Sequence, residues 1–76
     1  MNNPRRKRIS ELADKLSDIM GDLQECHYEE QEYMDNMPEN LWGSERYSIA
    51  ENAIDYLEEA ISNLEDVISS VEAAAE

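Results

Sequence analysis

The stretch Asp35-Asn36-Met37-Pro38-Glu39-Asn40-Leu41-Trp42-Gly43-Ser44 is where helical periodicity is interrupted. Pro38 disfavours helical dihedrals at Met37, so a helix arriving from the N-terminal side ends near there. Pro38 to Trp42 has room for one short turn, with Gly43 as a left-handed stop. A new helix starts from Ser44, or from Ser48, which opens the capping box Ser48-x-x-Glu51. Leu41 and Trp42 are expected to plug the end of the core. A connector this short makes the flanking helices antiparallel neighbours.

Upstream, apolar residues fall at Ile9, Leu12, Leu16, Ile19, Leu23, Cys26, Tyr33 and Met37, in alternating steps of three and four with Glu30 as the polar interruption. That spacing predicts a helix over about 9–36 whose seam is this row. Ala13, Met20, His27 and Met34 form a flanking row. Downstream, Tyr47, Ala50, Ile54, Leu57, Ile61, Leu64, Ile68, Val71 and Ala75 predict a second helix over about 45–75, with Ala53, Ala60, Val67 and Ala74 beside it. The expected fold is therefore an all-α antiparallel two-helix hairpin with a connector at about 37–44. Leu16, Leu23, Ile54, Leu57, Ile61, Leu64 and Ile68 are its expected core. Apolar rows beyond the seam call for a second packing surface, so the hairpin is expected to dimerise into a four-helix bundle.

The chain has 76 residues, with 19 Asp/Glu against 6 Lys/Arg and a formal net charge of −13. So short a chain buries too little surface for a two-lobed enzyme or a cofactor fold. It has no run of ~18 apolar residues to span a membrane. No apolar segment follows the basic start as in a secretory signal, which leaves the cytoplasm as the expected compartment. Arg5, Arg6, Lys7 and Arg8 make residues 1–8 a basic segment of +4, expected to be a flexible arm, with Asn3 before Pro4 as the alternative cap of a helix that starts early. Ile9 to Glu76 hold all 19 acids and only Lys15 and Arg46 as bases, a net of −17.

Candidate chemistry is sparse. His27 and Glu30 are spaced for one ion on a helix, but Gln24 stands where a Glu-x-x-His motif needs its carboxylate. Cys26 and His27 read more simply as packing residues, so no metal and no cofactor are expected. No second His is present, and no apolar cavity is expected that would raise a carboxyl pKa for acid catalysis. Glycine-rich phosphate loops are absent. The chain reads as a non-enzyme.

The acidic pattern is more specific. Glu51, Glu58, Glu65 and Glu72 recur every seven residues in one column, with Asp55, Glu59 and Asp66 behind it. The first helix adds Asp14, Asp18, Asp22, Glu25, Glu29 and Glu32 at steps of three and four. Beyond Arg46 the second helix has no base to neutralise its column through i,i+4 pairs. A dimer of two such bodies, on helices of roughly 40–45 Å, would carry one charge per roughly 1.3 Å, against ~1.7 Å for duplex DNA. These thirteen acids are the expected contact surface for a basic nucleic-acid-binding protein, whose groove they would occupy in place of its substrate. Direct nucleic-acid binding by residues 5–8 is opposed by the acidic body. Tyr28 and Tyr56, off the seam, suit a protein partner.

Gln31-Glu32-Tyr33, Pro38-Glu39-Asn40-Leu41, Gly43-Ser44-Glu45-Arg46-Tyr47 and Ala53-Ile54-Asp55-Tyr56-Leu57-Glu58-Glu59-Ala60-Ile61 resemble small acidic proteins of phages and mobile elements of gut Firmicutes. The resemblance covers about half of the chain, and Trp42 departs from the polar residue expected there. It implies a mobile-element setting, in which small acidic proteins block host nucleases or restriction complexes by mimicking DNA. It assigns a role to no residue. The functional expectation is an inhibitor of a defence nuclease, of anti-CRISPR or anti-restriction type. A structural or adaptor coiled coil, acidic for solubility, is the alternative.

Overall fold

A computed structural model describes residues 3–76. It contains helix α1 (Asn3–Asp35), a 3-10 turn (Glu39–Leu41) and helix α2 (Glu45–Ala74). The two helices pack against each other as a hairpin, a rod with extents of 60 × 14 × 12 Å.

α1 starts at Asn3, six residues before the expected start, so residues 3–8 are its first turns rather than an arm outside it. Residues 1–2 of that expected arm lie outside the described residues. Pro4 is tolerated because the first helical N–H groups have no intrahelical acceptor. Four bases at a helix N-terminus oppose its dipole. The hairpin offsets this by placing them beside the end of α2, where the Arg6 guanidinium donates to the Glu76 main-chain oxygen.

The connector follows the logic of its residues. Asn36 N–H donates to Glu32 O at 3.0 Å and Met37 N–H to Met34 O at 3.1 Å, closing α1 before Pro38. Gly43 has φ +85°, the left-handed conformation that glycine adopts without a Cβ penalty. Ser44 caps α2, its hydroxyl accepting from Tyr47 N–H at 3.2 Å. The plug of the core is Met37, which is buried, and not Leu41 and Trp42, which are exposed. Trp42 stays at the tip, its indole N–H donating to the Met37 carbonyl at 3.0 Å. Its ring lies 6.2 Å from that of Tyr47, at 37°.

The rotation of α1 differs from the expected seam. Ala13 is buried at 4% exposure, whereas Leu12, Ile19 and Tyr33 are 44%, 50% and 47% exposed, and Cys26 is exposed too. The inward row is Ile9, Ala13, Leu16, Met20, Leu23, His27, Glu30, Met34 and Met37, which continues back to Arg6 in steps of three and four. Both registers share Ile9, Leu16, Leu23 and Met37, and they differ by which neighbouring row turns inward. The small Ala13 lets the backbones approach, and His27 and Arg6 find acceptors on α2 only in this rotation. On α2 the expected seam faces inward: Ala50, Ile54 and Ile68 are buried, while Leu57, Ile61 and Leu64 are half-buried, as are Leu16 and Leu23 opposite.

Two glycine substitutions separate backbone cost from packing. A Cβ at Gly21 meets nothing within 4 Å, so Gly21→Ala should stabilise the hairpin by about 1 kcal/mol in chemical denaturation, the helix-propensity difference. Gly43→Ala has equal room but a positive φ, and should cost about 1–2 kcal/mol.

Candidate protein-binding surfaces

Two helices side by side leave a groove along each flank of the rod, and the two grooves differ in chemistry. The first is lined by Ile9, Leu12, Leu16 and Ile19 of α1 and by Val71 and Ala74 of α2, a hollow of about 690 Å³. Lys15 and Ser70 stand at its edges. Its walls follow from sequence spacing: Leu12 and Ile19 are seven residues apart on α1, and Val71 and Ala74 three apart on α2, with Val67 one turn before Val71 outside the groove. Val67 is 46% exposed.

The opposite groove is smaller, about 300 Å³, and lined by Gln24 and His27 of α1 and by Glu58, Ile61, Ser62 and Glu65 of α2. Here His27 Nε2 lies 3.0 Å from Glu58 Oε1. The column Glu51, Glu58, Glu65 and Glu72 follows this flank, with successive members about 10 Å apart along the helix. All four are exposed. Asp55, Glu59 and Asp66 are exposed next to them, and Asp14, Asp18, Asp22, Glu25, Glu29 and Glu32 are exposed on α1. The fold does not gather the thirteen acids into one pocket. It spreads them as lines on both helices, away from the apolar groove. Tyr28 and Tyr56 are also exposed, as is Ile49.

Charge density is lower than the sequence suggests. A net charge of −13 over 60 Å is one charge per about 4.6 Å, and two fully overlapped hairpins would give one per about 2.3 Å, against ~1.7 Å for duplex DNA. The difference arises because residues 5–8 belong to the rod and their charge counts against it. The rod, at 60 Å, is also longer than the roughly 40–45 Å expected of each helix.

Among the described residues no group of three His, Cys, Asp or Glu side chains is placed to hold a metal ion. No described helix is long and apolar enough to cross a membrane. Comparison of the chain with protein-family models, curated proteins and solved structures gives no match.

The residues whose role the sequence obscured are Leu12, Ile19, Cys26 and Tyr33, which form an outer surface rather than the hairpin seam. His27 carried the available signal, since a half-buried imidazole needs a polar partner and Glu58 stands in the acidic column of the other helix. Because the Glu58 side chain is 60% exposed, a double-mutant cycle of His27→Ala and Glu58→Ala should give a coupling of no more than about 1 kcal/mol.

Proposed function

We propose that this protein is an acidic binding module, a non-enzyme, that inhibits a basic nucleic-acid-binding protein by occupying its nucleic-acid groove. A defence nuclease, of the kind countered by anti-CRISPR or anti-restriction proteins, is the target class that the mobile-element resemblance favours. The hairpin acts as a homodimer, a four-helix bundle. The observation that carries the reading is the rigid, exposed column of Glu51, Glu58, Glu65 and Glu72 on a helix with no base beyond Arg46. A carboxylate line fixed on a helix presents charge without the ordering cost of a flexible acidic tail. The second acidic line, Asp14 to Glu32 on α1, has a mean spacing of about 5.4 Å, wider than the ~3.4 Å step of a single DNA strand.

The second reading, a structural or adaptor coiled coil whose acids serve solubility, is favoured by the apolar groove. Salt separates the two, because contacts between carboxylates and a basic groove weaken as ionic strength rises and apolar contacts do not.

The test is capture by the tagged chain from bacterial lysate at low and high salt, with and without competing duplex DNA. A nucleic-acid-binding protein that both salt and DNA displace is the expected result. Reversal of Glu51, Glu58, Glu65 and Glu72 to Lys should cut that capture at least tenfold, while circular dichroism keeps its helical signal. Capture that survives the four reversals, or only of proteins indifferent to salt and DNA, would remove the acidic column from recognition.

A further inference from the structure

The geometry points to the flank of the rod that carries the apolar groove and continues along Cys26 and Tyr33 as the face where a second copy docks, and to an antiparallel arrangement in which α1 lies over α1 and α2 over α2. This rests on the homodimer proposed above and adds its face, polarity and register; it does not depend on mimicry.

The hairpin exposes 5727 Å², whereas a globular monomer of 8.8 kDa exposes about 4,800 Å². The excess of about 900 Å² matches the ~800 Å² that each partner loses in a standard protein interface. The elongated shape accounts for part of this excess, and Leu12, Ile19, Tyr33 and Val67, each close to half exposed, add apolar area to it.

Self-complementarity fixes the occupant. A two-fold axis lying in the interface and perpendicular to the rod must pass through the centre of the outer row of each helix. The row Leu12, Ile19, Cys26, Tyr33 is centred between Ile19 and Cys26. The row Ala53, Ala60, Val67, Ala74 is centred between Ala60 and Val67. The His27–Glu58 contact sets which residues of the two helices are level, and it places the two centres within about one residue, ~1.5 Å, of each other along the rod. One axis therefore serves both rows. It sets Leu12 against Tyr33 of the second copy, Ile19 against Cys26, Ala53 against Ala74 and Ala60 against Val67.

Charge selects this polarity over its competitor. Cut at that axis, the half of the rod holding residues 3–22 and 63–76 has five bases and eight acids, a net of −3. The half with the connector, residues 23–62, has one base and eleven acids, a net of −10. An axis along the rod would stack the two −10 halves on each other. The perpendicular axis sets each −10 half over a −3 half and brings Arg5 to Arg8 level with the connector of the second copy. The acidic column stays on the outer flank of both copies.

Sedimentation of the full chain and oxidative cross-linking test this. The wild-type chain should sediment at twice 8.8 kDa and hold that mass at high salt, where repulsion between the acidic bodies is screened. Its Cys26 residues would be about 10 Å apart along the rod, beyond the ~7 Å that a disulfide spans, so the wild type should not cross-link. Ile19→Cys with native Cys26 should give a disulfide-linked dimer on a non-reducing gel, and adding Cys26→Ala should abolish it. Leu12→Cys with Tyr33→Cys in a Cys26→Ala chain provides a second pair; within one chain those positions are about 30 Å apart on one helix. A monomeric mass at every concentration overturns this interface and the homodimer together, leaving the acidic contact to its own test. A dimeric mass with neither pair cross-linking, or a covalent dimer from Ile19→Cys/Cys26→Ala, overturns the register alone.

Discussion

The rotation of α1 about its own axis determines what every other part of this molecule can do. Its apolar stripe is three rows wide, and α2 has contact for two. Turning Ala13, Met20, His27 and Met34 inward commits the smaller and more adaptable side chains to the hairpin seam. That choice lets His27 reach Glu58 and Arg6 reach the end of α2. It also leaves Leu12 and Ile19 as the wall of an open groove. Had the larger row turned inward, the exposed row would have been alanine, methionine and histidine, and the rod would lack a strongly apolar flank.

Much of the fold was legible because its signals are local. Pro38, Gly43 and Ser44 each have a conformational requirement that a turn between helices satisfies, and the three-four spacing on either side leaves no competing periodicity. The seam of α2 was equally plain, since a continuous acidic column bounds it and fixes which face is wet. α1 has no such boundary next to its stripe. Apolar size suggested Leu12 and Ile19, but size does not decide a contact between two helices when a small residue allows closer approach. The early start of α1 was half legible, since Asn3 before Pro4 offered a cap while the bases after it argued for an arm. Four consecutive bases look like an unstructured segment until the antiparallel partner supplies the negative end of its own dipole.

The surface chemistry was only partly legible. Which acids are exposed follows from the heptad pattern, and the positions of Glu51, Glu58, Glu65 and Glu72 needed no structure to predict. Their separation from the apolar groove did need it, because it depends on the rotation of α1. The outcome is a rod with two unlike flanks, one able to exclude water and one bearing charge, so self-association and recognition need not compete for the same residues.

The commitment of the single Trp42 at the connector gives the molecule an internal optical reporter. Its indole donates to the Met37 carbonyl and its ring leans toward Tyr47, so tryptophan emission reads the state of the turn and of almost nothing else. The far end, where Arg6 meets Glu76, is a rod's length away and spectroscopically silent. In a single hairpin, unravelling that begins at the termini would lower helical ellipticity first and leave fluorescence unchanged. Opening of the connector would do the reverse, and agreement between the two probes would mark the hairpin as a single cooperative unit.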